Sequence, residues 1–123
     1  MDESLNVFGQ RLLACGGGDR VTGWFRNGAC DTCAEDTGSH TVCSIMDDEF
    51  LAFSKYVGND LSTDRPEYGF AGLKAGDAWC LCASRWAQAA DEGCAPKVVL
   101  QATHQKALAV CDFETLKRHA VDL

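Results

Sequence analysis

Eight cysteines occupy a chain of 123 residues: Cys15, Cys30, Cys33, Cys43, Cys80, Cys82, Cys94 and Cys111. Their oxidation state constrains the fold more than any other feature. Cross-linked cysteines staple a small scaffold, whereas free thiols leave stability to a hydrophobic core. The compartment decides between these. The chain opens Met1-Asp2-Glu3-Ser4-Leu5-Asn6, without the basic start and apolar run of an export signal. No apolar run approaches the roughly 18 residues of a membrane-spanning helix. The expected setting is therefore cytoplasmic, where thiols stay reduced, and the sequence predicts eight free thiols. A chain this long buries roughly two-thirds of its unfolded surface. That suffices for one domain, residues 1–123, held by its own core.

The formal net charge of −7 repels phosphate backbones and anionic headgroups, which excludes nucleic-acid and membrane-surface binding. The basic cluster Lys117-Arg118-His119 reads as the last turn of a helix, where cations complement the dipole. A small molecule or a peptide is the expected kind of partner. No pattern in the sequence specifies an oligomeric state.

Residues 1–40 are rich in turns. Within them Val21–Arg26 reads as a short strand ending at Asn27-Gly28. Gly16-Gly17-Gly18 lacks the following helix and Lys-Ser/Thr pair of a phosphate loop, so it reads as a flexible turn. Thr41–Met46 is a buried-type strand. Asp47 caps a helix with Phe50, Phe53 and Val57 on one stripe, stopped by Gly58-Asn59. Residues 60–77, with Pro66, Gly69, Gly72 and Gly76, form an ordered loop or lid. A second strand covers Trp79–Ala83, a helix Ser84–Glu92 and a third strand Val98–Ala102. Thr103 caps a helix through Val110, and Asp112 caps a last one with Phe113, Leu116 and Ala120 inward. The prediction is a single compact α+β domain, with a small mixed β-sheet packed by three to four short helices and a turn-rich N-terminal third.

The candidate chemistry centres on cysteine and histidine. Cys80 and Cys82 share a strand face about 6.6 Å apart, too far for easy bridging, and read as core packing, ligands or a reactive thiol. Cys30-x-x-Cys33 has half-knuckle spacing, but Glu35 and Asp36 disfavour a redox role. His40 and Cys43 point to opposite faces of one strand, so a dyad needs a bulge or another partner. His104 stands just past the third strand. Candidate catalytic residues are thus Cys80, Cys82, Cys43, His40 and His104. The 60–77 loop and the cysteine strand offer Asp60, Arg65, Glu67, Asp77, Trp79 and Arg85 for a polar ligand. The expectation is no bound metal and no cofactor, because a zinc site usually shows two recognisable ligand pairs. A metal, if held, would draw on Cys30, Cys43, Cys80 and Cys82.

Several segments carry a wider resemblance. They are Gly38-Ser39-His40-Thr41-Val42-Cys43, Asp48–Lys55, Gly58–Thr63, Arg65–Phe70, Gly76–Trp86, Val98–His104 and Leu116–Val121. Together they resemble the mostly bacterial family catalogued as domain of unknown function 2237, over nearly the whole chain. The resemblance implies no assigned activity. It does imply that Cys33, Cys94 and Cys111 lie outside the shared pattern, and that a shared site does not depend on Cys33. The reading that follows is a small binding module, with a pocket near the 60–77 loop and the Cys80/Cys82 strand. Its rival is a cysteine-dependent or metal-assisted enzyme.

Overall fold

The computed structural model describes residues 4–16, 22–23, 25–68 and 70–123. Its elements are β1 (His40–Ile45), α1 (Asp48–Tyr56), β2 (Ala78–Cys82), α2 (Ala83–Asp91), β3 (Lys97–Val98) and α3 (Phe113–Arg118). Single 3-10 turns occur at Pro66–Tyr68, Leu100–Ala102 and Gln105–Ala109. β1 is the middle strand of a three-stranded sheet in the order β2-β1-β3. It runs antiparallel to both neighbours. The architecture is the expected α+β domain, but the sheet is antiparallel rather than mixed, and a parallel pairing occurs at the Val98–Ala120 bridge.

Side chains alternate across a strand, and β1 uses that alternation to serve two cores. Val42 belongs to the main cluster with Phe50, Leu81, Trp86, Leu100 and Leu116. Cys43 faces a smaller cluster made of Cys15, Cys30, Cys80 and Ala102. The helices close the main core as their sequences direct. Asp47 Oδ1 accepts from Phe50 N at 2.7 Å, which caps α1. α2 buries Ala83, Trp86 and Ala89, and the Trp86 indole donates to Pro96 O at 3.2 Å. Asp112 accepts from Thr115 N to start α3.

Three local expectations are corrected. The third strand keeps only Lys97–Val98, because the Asp122 carboxylate takes the N–H groups of Leu100 and Gln101, both at 2.9 Å. Those donors leave the ladder and the chain turns. Thr103 does not cap the following helix. Its hydroxyl donates to Val99 O at 2.8 Å and accepts from Cys43 N at 3.2 Å. His104 caps instead, accepting from Lys106 N on Nδ1 at 3.0 Å, and the segment is 3-10 rather than α. The expected strand at 21–26 is also replaced. Val21 and Trp24 lie outside the described residues, as do Gly17 and Gly18 of the glycine run. Gly23 and Arg26 adopt left-handed backbone with φ of 91° and 55°, and the pairing nearby is an Ala14–Ala29 bridge.

The largest correction concerns the cysteines. Four of them form two disulfides, Cys15–Cys43 and Cys30–Cys80, with Cα–Cα distances of 5.5 and 5.3 Å. Free thiols remain at Cys33, Cys82, Cys94 and Cys111. The cause is register. Cys43 and Cys80 are partners across β1–β2, and the Ala14–Ala29 bridge brings Cys15 and Cys30 to the same face. Both bonds tie the turn-rich N-terminal third to the sheet, which no sequence spacing announced. No helix among the described residues is long and apolar enough to cross a membrane.

Candidate functional site

The β1–β2 pairing slips between His40 and Val42, and His40 ends opposite Cys82. This irregularity supplies the partner that His40 lacked on its own strand. Cys82 is the last residue of β2 and the N-cap of α2. Its thiol donates to Gly38 O at 2.7 Å. Ala83 N donates to Ser39 O at 2.9 Å. The 36–39 turn is thereby docked on the amino end of α2. A methyl group added at Gly38 would stand 3.1 Å from His40 Cε1 and 3.3 Å from Cys82 Sγ. The thiol and the imidazole flank one point, which glycine leaves open.

Asp36 completes the group from behind. Its side chain is 0% exposed and that of His40 is 39% exposed, so the acid is sheltered and the base faces the cleft. Asp36 Oδ1 lies 2.6 Å from His40 Nδ1. Its Oδ2 accepts from His40 N at 2.9 Å and from the Thr32 hydroxyl at 2.9 Å. Burial alone would raise this carboxyl, but the bonds from His40 and Thr32 outweigh it and hold it below the usual aspartate value. With the carboxylate accepting from Nδ1–H, the tautomer it selects has its basic lone pair on Nε2.

These residues open into a cleft of about 560 Å³ that His40, Cys82, Arg26 and Arg85 help line. Asn59, Leu61, Phe70 and Trp79 also line it. The Phe70 and Trp79 rings meet edge to face at 5.4 Å, and the Arg26 guanidinium sits 5.5 Å from the Trp79 ring centre. Two arginines beside two aromatics suit an anionic group on a partly apolar molecule. Among the described residues, Arg26 and Ser39 are the non-glycine residues with positive φ, 55° and 51°. Such backbone strain gathers at sites that a fold holds in place, and both lie on the turns that frame this cleft.

The residues singled out from sequence separate clearly. Trp79, Cys82, Arg85 and His40 line the cleft, and Cys80 touches it from below while bonded to Cys30. Asp60, Arg65, Glu67 and Asp77 do not line it. Asp60 accepts from Ser62 N and from the Ser62 and Thr63 hydroxyls. Those bonds, led by that from Thr63, lower its carboxyl to about 2. Arg65 pairs through its backbone with Phe70, Glu67 lies in the exposed 3-10 turn, and Asp77 accepts from Lys74 N. The described residues of the 60–77 segment thus bond largely to one another, and Leu61 and Phe70 reach the cleft. His104 is buried elsewhere. Burial lowers its pKa, although Asp31, 3.7 Å away, opposes this. Cys43 is locked in its disulfide.

Sequence reasoning missed Asp36 and Arg26. The available signal was the spacing Asp36-x-x-x-His40 across a Gly-Ser turn, where a carboxylate reaches back to an imidazole. The Cys30/Cys33 pair dissolves: Cys30 bonds Cys80, and Cys33 donates to Glu35 at 3.0 Å. The alternative metal set also changes. The sulfurs of Cys15, Cys30 and Cys43 lie within 4.8 Å of one another, and Cys80 is bonded to Cys30. Cys82 instead turns to Gly38.

The family model described as "Uncharacterized protein conserved in bacteria (DUF2237)" matches residues 5–120, and the chain belongs to that family. No curated protein matches it at a significant level.

Proposed function

We propose that this member of the family binds a small anionic acyl compound in the cleft and acts on it through Cys82. The observation that carries the reading is the convergence of Cys82, His40 and Asp36 around Gly38. Cys82 stands at the amino end of α2 with Arg85 one turn along, a positive environment for a sulfur anion. His40 is the base and Asp36 the positioning residue that orients it and stabilises its protonated form. In the step this supports, the Cys82 sulfur bonds to the carbonyl carbon as its proton passes to His40 Nε2. The imidazolium then gives that proton to the departing group, leaving a thioester that water or a second acceptor cleaves. Arg26 and Arg85 hold the anionic end, while Phe70 and Trp79 cover the apolar part. The chemistry needs Cys82 as a thiol, and Cys82 is one of the free cysteines.

Alkylation of the native protein by iodoacetamide at neutral pH, mapped by mass spectrometry, tests this. Cys33 and Cys94, also partly exposed, serve as internal references. Cys82 is expected to react at least about tenfold faster than either, and His40→Asn is expected to remove the difference. A Cys82 that reacts no faster than Cys33 defeats the reading. The aromatic–arginine wall also supports a simpler alternative, binding of a polar small ligand or peptide without chemistry. Under that alternative, small carboxylates protect the cleft while Cys82 shows no enhanced rate.

A further inference from the structure

The second, smaller core is made largely of sulfur. Cys15, Cys30, Cys43 and Cys80 are 6%, 0%, 0% and 1% exposed, and Ala102 packs among them. They arrive on two paired segments, two cysteines from each. Cys43 and Cys80 face each other in the β1–β2 register. Cys15 and Cys30 follow the bridged residues Ala14 and Ala29, and Cys15 N donates to Gly28 O at 2.7 Å. The disulfides run between the couples and not within them. Two paired segments that each present two cysteines to one point are also how a four-cysteine zinc centre is built.

We propose that this cluster is a redox-gated zinc site: two disulfides when oxidised, one tetrahedral zinc tetrathiolate when reduced. Zinc–sulfur bonds of about 2.3 Å place the four sulfurs about 3.8 Å apart. The Cys15, Cys30 and Cys43 sulfurs already lie within 4.8 Å of one another. Opening the two bonds needs only a short outward movement of each bonded pair. The strand positions are held independently of sulfur: Thr22 Oγ1 accepts from Cys80 N at 2.9 Å, and Thr103 Oγ1 accepts from Cys43 N at 3.2 Å. The expected objection to a metal, a missing second close pair in the sequence, is met by backbone pairing across the fold. Cys15 takes the place assigned to Cys82. Of the four, Cys80 also borders the cleft, beside Gly23.

The exchange balances with a dithiol as reductant. Two dithiol molecules each break one protein disulfide and close to their own cyclic disulfide, which leaves four cysteine thiols. One Zn²⁺ then binds with release of four protons, giving a centre of charge −2. In reverse, two molecules of a small cyclic disulfide take up the four electrons and four protons and return to dithiol, while the thiolates close to two protein disulfides and the Zn²⁺ leaves. This inference uses none of Cys82, His40 or Asp36, so it stands or falls separately from the proposed chemistry.

The test compares the full chain as oxidised with the same chain after dithiol reduction and anaerobic desalting. Each is titrated with zinc against a chromophoric chelator and, separately, with cobalt(II). The reduced chain is expected to take one metal ion, with the strong sulfur-to-cobalt absorption of a tetrathiolate, and the oxidised chain none. Alkylation mapping of the zinc-loaded wild type is expected to show Cys15, Cys30, Cys43 and Cys80 protected, with Cys82 and Cys33 modified. Cys15→Ser is expected to lower affinity about 100-fold or more, while Cys33→Ser leaves it unchanged. A reduced chain that binds no zinc overturns the proposal, as does protection that includes Cys82 in place of Cys15. Wild-type mapping decides the matter even if Cys15→Ser fails to fold.

Discussion

His40 and Cys82 are register partners across the β1–β2 pairing, and a β-carbon added at Gly38 would stand within 3.3 Å of both side chains. The sheet brings together two groups 42 positions apart in sequence, and Asp36 reaches the pair through a four-residue turn. The thiol and the base therefore rest on strand ends, and the buried acid on the turn just before β1. The rest of the cleft lining comes from β2, α2 and the loops around them.

Gly38→Ala tests how closely the space is used. Gly38 has no left-handed backbone requirement, so alanine is tolerated by the chain but meets His40 at 3.1 Å and Cys82 at 3.3 Å. The expected result is a stability change of less than about 1.5 kcal/mol, with Cys82 alkylation slowed severalfold. An unchanged rate alongside an unchanged fold would show that the two groups do not work together.

Asp36→Asn removes a carboxylate that collects three hydrogen bonds. The expected loss at neutral pH is about 1–3 kcal/mol in urea unfolding. The folded pKa of Asp36 lies below 3.8. Its contribution is therefore complete above the unfolded value and fades as pH falls through the folded one. The gap between wild type and variant should narrow below about pH 4. A gap equal at pH 7 and pH 3 would place the effect elsewhere.

His104 gives a second pH signature in a higher window. Burial lowers its folded pKa below 6.5, against the pull of Asp31 and with the help of Lys106. The unfolded chain thus binds the proton more readily. Stability is full above pH 6.5 and declines as pH falls through the folded value. His104→Gln should flatten this part of the curve in thermal unfolding from pH 7.5 to 5. Identical slopes for both proteins would sink the assignment.

Removing one disulfide from the oxidised chain, as Cys15→Ala with Cys43→Ala, should cost about 3–4 kcal/mol for a loop of 28 residues. The loss should be local in character. The segment before β1 is tied to the sheet by these bonds, so limited proteolysis should cut first within residues 4–36 while the main core persists. Cuts appearing first in α2 or α3 would contradict this division of labour.

The helices were legible because their signals are local. Asp47 and Asp112 each accept from an N–H three residues ahead, and the apolar stripes of α1, α2 and α3 lie within a few turns. The sheet strands β1 and β2 were legible for the same reason, as short runs of buried-type residues. β3 was read too long because the group that takes its donors, Asp122, lies more than twenty residues away.

The site was only half legible. Sequence named His40, Cys82, Trp79 and Arg85, but judged Asp60, Arg65 and Glu67 by their loop and not by where that loop faces. The amino-acid sequence alone determined β1, β2 and the three α-helices, a matter of neighbouring side chains and caps. Tertiary structure decided which cysteine meets which. The disulfide partners are 28 and 50 residues apart, and pairing at that distance follows from strand register and one irregular step beside His40. Register depends on how the whole core packs, so no local pattern can carry it.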